Sequence, residues 1–469
     1  MKRLAIFALV SAWAQAASAE ECSQNRPTDG ATAYGGYVYE GAAKSWATPE
    51  GNARVWWVET GAHAAPTFSS RTDGVPDVVA IVGEVLEQAV AGYQKLGFEP
   101  ALRDGDYPSC ASNGGDGRYD VYLVAFKGAD GVTANERCTT VGTAQRCPGF
   151  MLVDRNFKAR GYDSQREGAE TVVAHEYFHM VQNAYDVGMD RWWAEGTAQW
   201  AVKQLYPANG DLERFLPSFF AESGRPIDTP PAGVTSGFLY GAAIWPVFLH
   251  QHRGKETVTS VMAALGAGKG PVLAATDGVL VGAGTSLADE FAAFATWNAA
   301  TGSRASSGGY ADAAKYPMVN VEEFPDGETA ELSGITAGFA SRYYRLADPS
   351  PRTITLTTDD TRLGGVAVPL EDGKVALSKA VPLPASVQGE AIVVLAGRSS
   401  KKTDVRWALR ASVPVVEPPP QATGGDDDGG CTFTERAPHG AAASAAFVGV
   451  ALLSALVRRA RAPRPSRRR

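Results

Sequence analysis

The spacing of apolar residues along the chain predicts a mixed α+β fold. Residues 77–96 carry apolar side chains at helical intervals behind a Pro at the first turn, which predicts a long helix. Similar spacing predicts helices over residues 170–186, 192–206, 236–251, 256–265 and 286–297. Runs rich in β-branched and aromatic residues predict strands over residues 53–60, 119–126 and 149–154. Together these elements predict a twisted sheet beside a long helix.

The pattern changes to period two after the Gly/Ser-rich residues 302–309. Short strands are predicted over residues 353–358, 366–370, 374–377, 391–395 and 405–411. In the last of them Val405, Trp407 and Leu409 share one face, and charged residues occupy the opposite face. Short strands separated by Gly, Pro and Asp turns predict a β-sandwich.

The first 19 residues have the parts of a secretory signal peptide. Lys2 and Arg3 form a positive start, an apolar run follows, and residues 17–19 supply a small-x-small cleavage site. The mature chain is therefore predicted to begin at Glu20 and to be exported.

The composition near the carboxyl end also departs from that of a globular domain. Residues 413–430 are rich in Pro, Gly and Asp and predict a disordered linker. Cys431 follows, and residues 440–457 form an uncharged run just long enough to span a bilayer before a cluster of arginines. Membrane contact is predicted through this segment only.

Composition and charge restrict the possible functions. The chain has 469 residues, of which 45% are hydrophobic and 20% charged, as in ordinary globular proteins. Its net charge of −7 and its pI near 5.5 argue against nucleic-acid binding, which requires a basic surface.

The five cysteines fit an exported protein, because disulfides persist in oxidising compartments. Cys138 and Cys147 bracket a polar loop and are predicted to pair. Cys22 and Cys110 form the residual pair, which leaves Cys431 odd. A four-cysteine zinc site is the alternative, but the chain has no C-x-x-C spacing.

Residues 175–179 form an H-E-x-x-H motif inside the predicted helix 170–186. Residues four apart on a helix share one face and lie about 6 Å apart along its axis. His175 and His179 can therefore bind one zinc ion, with Glu176 beside them as a general base. The alternative is two ordinary histidines on a partly buried helix.

A catalytic zinc site needs a third protein ligand. Glu195 lies among aromatic residues in WWAEGTA, where a carboxylate is costly to bury unless it is paired or binds a cation. A first-turn Glu favoured by the helix dipole is the alternative explanation. Other candidates for the third ligand are His63, His250 and His252.

The sequences HEYFHMVQ and WWAEGTA resemble the H-E-x-x-H and W-x-x-E-G-x-A pattern of gluzincin metallopeptidases. Segments between Val55 and Gly254 also follow the order seen in a myxobacterial family of secreted metallopeptidases. The resemblance implies a zincin-like metallopeptidase domain over residues 20–310, followed by the β-sandwich over residues 311–412.

The same resemblance implies one zinc ion per chain and assigns a role to each matching residue. The implied ligands are His175, His179 and Glu195. Glu176 matches the general base, and Tyr240 is a candidate to stabilise the oxyanion. The implied function is hydrolysis of peptide bonds in a peptide or protein substrate.

Three further expectations concern the peptidase site. The G-x-M-E-N exopeptidase motif of related aminopeptidases is absent, which favours an endopeptidase. The predicted strand Gly149–Asp154 is a candidate edge for pairing with an extended peptide. Gln182 and Gln199 are candidates, by position, to orient the metal ligands.

The linker, Cys431, the apolar run and the arginines resemble the C-terminal sorting tag of myxobacterial surface proteins. This resemblance implies that a sorting protease cuts near Cys431 within residues 431–469. The protein is then expected at the cell envelope and outer surface, or secreted after tag processing. An inactive surface adhesin on a zincin scaffold is the alternative function, and a different zinc hydrolase is a third.

Overall fold

The computed structural model describes residues 25–30, 33–103, 105–106, 114–232, 236–399 and 404–414. These residues all belong to one compact unit, and its secondary structure is mixed α+β, as predicted. The predicted signal peptide, sorting tag and membrane span lie outside the described residues, as do residues 415–430 of the predicted linker and Cys22, Cys110 and Cys431. The predicted domain boundary at residue 310 stays a prediction.

The described helices are α1 (Asp77–Leu96), α2 (Gln165–Asn183), α3 (Arg191–Leu205), α4 (Asp211–Ala221), α5 (Gly237–Gly241), α6 (Ile244–Arg253), α7 (Glu256–Gly266), α8 (Val272–Gly282) and α9 (Leu287–Ala299). The prediction of one helix over residues 236–251 was wrong, because α5 and α6 are separate there. Helices α4 and α8 were not predicted. The first contains Pro217, and the second is rich in small residues, so neither gives a clear helical signal. Within the described residues, none of the helices combines the length and apolarity needed to cross a bilayer.

The strands are β1 (Lys44–Ala47), β2 (Ala53–Trp57), β3 (Tyr119–Val124), β4 (Gly131–Asn135), β5 (Thr139–Val141), β6 (Ala144–Arg146), β7 (Gly149–Asp154), β8 (Glu322–Glu323), β9 (Thr329–Thr336), β10 (Ser341–Leu346), β11 (Arg352–Thr358), β12 (Leu363–Glu371), β13 (Lys374–Val375), β14 (Val381–Pro382), β15 (Ala385–Val387), β16 (Ala391–Gly397) and β17 (Val405–Ser412). The predicted strands in the first half match β2, β3 and β7: β7 has the predicted bounds, whereas β2 and β3 end earlier than predicted. Strand β4 was not predicted.

The first sheet has the strand order β1-β2-β3-β7-β4. Strands β2, β3 and β7 are parallel, and β1 and β4 run antiparallel to their neighbours at the two edges. Helices α1 and α2 pack on one face of this sheet and form the main hydrophobic core with it. The other face carries a smaller apolar cluster, which tyrosines from the N-terminal segment cover.

Helix α2 lies at the centre of the core, and most of its side chains are buried. Its start is fixed by Ser164, whose hydroxyl accepts a hydrogen bond from the Glu167 N–H, while the Glu167 carboxylate accepts one from the Asp163 N–H. This pair of hydrogen bonds resembles a capping box, in which two side chains accept backbone N–H groups at the start of a helix. Tyr93 of α1 donates a hydrogen bond to the Ala174 carbonyl at 3.0 Å and stacks on Tyr177. These contacts with α1 fix the rotation of α2 about its own axis.

Two sheets follow the helices, and their strands pair antiparallel except for β8, which runs parallel to β10. One contains β13, β12, β16, β10 and β8, and the other has the order β15-β11-β17-β9. Apolar residues from both sheets form one shared cluster between them. In β17 the burial alternates strictly, as period two predicts, with Val405, Trp407 and Leu409 facing that cluster. Helix α9 packs on the outer side, where the Tyr343 hydroxyl of β10 donates to the Ala295 carbonyl.

The predicted pairing of Cys138 with Cys147 is confirmed by a disulfide in the structure. The bridge closes the short hairpin of β5 and β6, which extends from the end of β4. The hairpin is further held by Gln145, whose backbone N–H donates to the Asp186 carboxylate just beyond α2. The loop after the edge strand is thereby tied to the helix that carries the H-E-x-x-H motif.

Candidate metal centre

Helix α2 brings the two histidines of the motif together, as their four-residue spacing predicts. The His175 and His179 ring centroids lie 4.7 Å apart with the rings nearly perpendicular. Both rings are buried, so neither histidine is an ordinary surface residue. Two imidazoles in this arrangement can direct ring nitrogens at a common point.

Helix α3 supplies the third member of the cluster. Glu195 Oε2 lies 3.2 Å from His175 Nε2 and 3.5 Å from His179 Nε2, and the carboxylate is fully buried. Among the described residues, these three form the one group whose donor atoms could together hold a metal ion, since the atoms all lie within 4.8 Å of one another. Two imidazoles and a carboxylate are a donor set that suits a divalent transition metal.

The glycine after Glu195 explains how α3 approaches so closely. A Cβ at Gly196 would lie 3.2 Å from backbone atoms of Ala242 and Ala243. The segment between α5 and α6 therefore packs directly against the backbone of α3. This contact fixes the position of α3 and thereby the position of the Glu195 side chain beside the two histidines.

The charges of the three residues are tightly linked. Burial would raise the pKa of Glu195, but hydrogen bonds from His175 and His179 outweigh it and hold the pKa well below its usual value. Burial would lower the pKa of His179, but the hydrogen bond and the charge of Glu195 raise it to about 9. Burial lowers the pKa of His175. The site thus keeps an ionised carboxylate, which attracts a cation, beside one imidazole that favours the neutral, ligating form.

Glu176 lies beside this group without belonging to it. Its Oε2 is 3.0 Å from the Thr133 hydroxyl, which also lies 2.6 Å from the Glu176 backbone carbonyl oxygen. Its Oε1 is buried and has no hydrogen-bond partner among the described residues. Burial raises the pKa of Glu176 to about 7, with the Glu195 charge adding to it and the His179 charge opposing it. A buried carboxyl with a free oxygen and a near-neutral pKa is suited to exchanging a proton with water or substrate.

Strand β4 contributes two residues that the sequence analysis missed. The Thr133 hydroxyl orients the Glu176 carboxylate. A Cβ at Gly131 would lie 2.6 Å from the Val172 side chain and 2.9 Å from the Glu176 Cγ, so only glycine lets the strand approach α2 this closely. A Gly-Val-Thr sequence gives neither a helical nor an alternating signal, which is why the strand was not predicted.

The structure corrects the predicted edge strand. Strand β7 (Gly149–Asp154) pairs with β3 on one side and with β4 on the other, so it is internal. Strand β4 is the edge of this sheet, and it is the strand next to Glu176. All residues of β7 are buried, as a continuous apolar run predicts for a central strand.

Gln182 contacts a histidine of the cluster, as its position predicts. Its Oε1 accepts a hydrogen bond from His179 Nδ1 at 2.7 Å, which directs the Nε2 of that ring towards Glu195. Its amide nitrogen donates to the Ala194 carbonyl at 2.7 Å and to the Thr197 hydroxyl at 2.8 Å. One side chain therefore orients a histidine ring and joins α2 to α3.

We expect Gln182→Met to weaken metal binding by about 10- to 100-fold, the usual cost of losing a hydrogen bond to a ligand. Methionine keeps the volume but cannot accept from His179. Gln199→Met is the matched control, because the Gln199 amide donates to Asp211 at 2.8 Å, and Asp211 is not one of the possible metal ligands among the described residues. Competition titration with a chelating dye measures both affinities, and equal losses in the two variants would contradict the assigned role of Gln182.

Tyr240, the candidate to stabilise the oxyanion, lies beside His175. Its ring centroid is 6.0 Å from that of His175, and its ring stacks on Phe215 at 4.8 Å. Burial, followed by the charges of Glu195 and Glu176, raises the pKa of Tyr240 well above its usual value. The hydroxyl therefore stays protonated and can act as a hydrogen-bond donor.

The other histidines proposed as third ligands have different partners. His63 Nδ1 accepts a hydrogen bond from the Ala125 N–H, and His252 Nδ1 lies 2.9 Å from Glu290. The His250 ring packs against Trp200 with centroids 5.8 Å apart. None of the three belongs to the group that could hold a metal ion in the described part of the chain.

Comparisons with known proteins add little to this geometry. No protein-family description matches the sequence, and no curated protein is significantly similar to it. Two periplasmic inhibitors of g-type lysozyme, PliG from Aeromonas hydrophila and from Salmonella Typhimurium, align with 20% of this chain and 96% of each inhibitor, at 12% and 11% identity and a TM-score of 0.16. Aminopeptidase A of Legionella pneumophila, solved with aspartic acid, aligns over 75% of this chain but 35% of its own length, at 14% identity and a TM-score of 0.34. At these TM-scores the alignments carry no conclusion about fold or function.

Proposed function

We propose that the protein is a zinc-dependent peptidase of the gluzincin type that cleaves peptide bonds within a chain. One observation carries this proposal: a buried carboxylate from α3 meets both imidazoles of the H-E-x-x-H helix, and Glu176 lies beside them with one oxygen that has no partner in the described part of the chain. His175, His179 and Glu195 would hold one zinc ion. A bound zinc ion supplies Lewis acidity and lowers the pKa of water from 15.7 to roughly 7.

Side chains of the protein then transfer the proton and stabilise the developing charge. Glu176 accepts a proton at Oε1 and later donates it to the leaving amine, a role that its near-neutral pKa supports. Thr133 keeps the other oxygen of that carboxylate in place. The protonated Tyr240 hydroxyl donates a hydrogen bond to the oxygen that becomes negative during attack on the peptide carbonyl.

The edge strand supports a role for extended peptides as substrates. Among the described strands, β4 pairs with β7 alone, so its other side can bond to a peptide backbone. A peptide paired there would run past Glu176, because Thr133 lies in the middle of the strand. The absence of the G-x-M-E-N motif favours cleavage within chains over removal of end residues.

The remaining parts of the proposal concern architecture and location. Helices on the first sheet support a zincin-like domain, and the cluster shared by the two later sheets supports a β-sandwich after it. The signal-like start, the linker, Cys431 and the apolar end of the sequence support export, sorting-protease action near Cys431 and display at the cell surface.

The first experiment measures zinc content and peptide cleavage of the exported protein and its Glu195→Gln variant. The amide removes the anionic donor at constant size, so we expect zinc affinity to fall at least about 100-fold, more than an outer hydrogen bond contributes. His252→Gln is the control and should keep both zinc and activity. Stoichiometric zinc without cleavage of any casein or gelatin substrate would favour the inactive adhesin instead. Equal zinc affinity in Glu195→Gln would refute the metal centre.

A further inference from the structure

The N-terminal segment covers the outer face of the first sheet, opposite α1 and α2. We call residues 25–30 and 33–39 the N-terminal strap. The strap folds on itself, since the Tyr34 N–H donates to the Asn25 carbonyl and the Tyr39 N–H to the Pro27 carbonyl. Its tyrosines pack on the apolar cluster formed by Tyr122, Val124, Val132, Ala134, Phe150 and Leu152.

A buried arginine anchors the strap. The Arg26 side chain has no exposed surface, and its guanidinium binds both oxygens of Glu136 at 2.7 and 3.1 Å. Its Nε lies 3.5 Å from Asp120, and the guanidinium lies over the Phe150 ring. Both carboxylates are buried as well. If the strap were removed, they would lose the cation that neutralises them, and a buried charge without its partner is strongly destabilising.

The anchor lies at the end of the edge strand. Glu136 follows directly after Asn135, the last residue of β4, and its N–H donates to the Pro148 carbonyl. Arg26 therefore holds the strap against the strand that the proposed function assigns to substrate pairing. A segment that must be discarded before the enzyme can act would not be expected to fix the position of that strand.

Tyr34 is the strap residue that lies beside the anchor, since its N–H donates to the carbonyl of Asn25, the neighbour of Arg26. It packs on the cluster to which β4 contributes Val132 and Ala134, and its side chain is only partly exposed. Burial, and after it the charge of Glu176, raises the pKa of Tyr34 to about 12. The Tyr34 ring thus lies on the outer face of the sheet, on the cluster that includes the two β4 residues on either side of Thr133.

Side-chain alternation along β4 indicates what Tyr34 would contact. Thr133 points to α2, whereas Val132 and Ala134 point to the strap. A peptide added to this edge continues the pleat, so every second side chain of the peptide projects on the strap side. Those side chains would meet an aromatic ring on an apolar surface.

We propose that the strap is retained in the functional protein and that Tyr34 forms a wall of the peptide cleft, which selects large apolar side chains next to the cleaved bond. The selectivity part rests on the proposed function, whereas retention of the strap does not.

Retention is tested by the intact mass of the exported protein that contains zinc. We expect a chain that begins before Asn25. Zinc-containing protein that begins after Tyr39 would overturn the proposal, whether or not it cleaves peptides.

Selectivity is tested with a peptide library and three variants. Tyr34→Ala should lower kcat/KM about 10-fold or more for peptides with large apolar residues at the selected position, and Tyr34→Phe should retain it. Tyr37→Ala is the matched control, because Tyr37 belongs to the same strap but its ring packs on Phe126, just beyond β3. Equal selectivity of Tyr34→Ala and Tyr37→Ala would overturn the role of Tyr34.

If Tyr34→Ala unfolds at a lower temperature than the wild type, Tyr34→Arg replaces it in the test. The arginine should shift the preference of the enzyme to peptides with acidic residues at the selected position. Zinc-loaded wild-type protein that cleaves no peptide would refute the proposed function and the role of Tyr34 with it, leaving retention to the mass measurement.

Discussion

Replacing Glu176 by glutamine is expected to lower peptide hydrolysis by about 10²- to 10⁴-fold, the range contributed by general acid–base catalysis. The amide has the size of the carboxyl group but cannot accept a proton. Its contact with Thr133 can persist, so the fold of the site should not change. Because Glu176 lies outside the group of possible ligands, the variant should still bind one zinc ion per chain.

The measurement pairs initial rates on a fluorogenic peptide with zinc content by atomic absorption. Glu170→Gln provides the control on the same helix, because the Glu170 side chain is partly exposed and does not belong to the possible metal-binding group of the described residues. We expect this control to keep full activity. Wild-type rates in Glu176→Gln would show that another group takes the proton. Loss of zinc in that variant would instead indicate a structural role for the carboxylate.

Replacing Arg26 by methionine is expected to lower the free energy of unfolding by about 3–5 kcal/mol, the cost of removing one partner from a buried ion pair. The methionine can fill the space above Phe150 but leaves Glu136 and Asp120 without the guanidinium. Urea unfolding followed by tryptophan fluorescence measures the change.

Two further variants make this prediction specific. Arg54→Met removes a partly exposed pair with Asp116 and should cost less than about 1 kcal/mol. Adding Glu136→Gln to Arg26→Met should recover part of the loss, because the amide removes one of the buried charges. If Arg26→Met unfolds at the same urea concentration as Arg54→Met, the buried ion pair of Arg26 does not stabilise the fold more than a surface pair does.

The sequence was most informative where chemistry and periodicity coincide. The H-E-x-x-H spacing predicts that His175 and His179 share a helix face, and a buried carboxylate among aromatic residues needs a cationic partner, which made Glu195 a candidate. Both expectations agree with the geometry of the cluster. Strict alternation in β17 likewise predicted which of its side chains are buried.

Other features depend on tertiary contacts that do not appear in the spacing of apolar residues along the sequence. Strand β4 was missed because Gly131 is required by the close approach of α2 and not by the pattern of its own strand. The predicted edge strand, β7, is internal, because a continuous apolar run that is buried on both faces is typical of a central strand. Arg26 gave no signal, since arginines are mostly exposed and only the fold brings two buried carboxylates to it.

The three hydrogen bonds of Gln182 have a consequence for the order of events during unfolding. One amide sets the orientation of the His179 ring and also the spacing between α2 and α3. Separation of the two helices would therefore turn the ring and withdraw the Glu195 carboxylate in the same movement. An ion bound there would be released when the two helices separate, so its appearance in solution would report the opening of the core between α2 and α3.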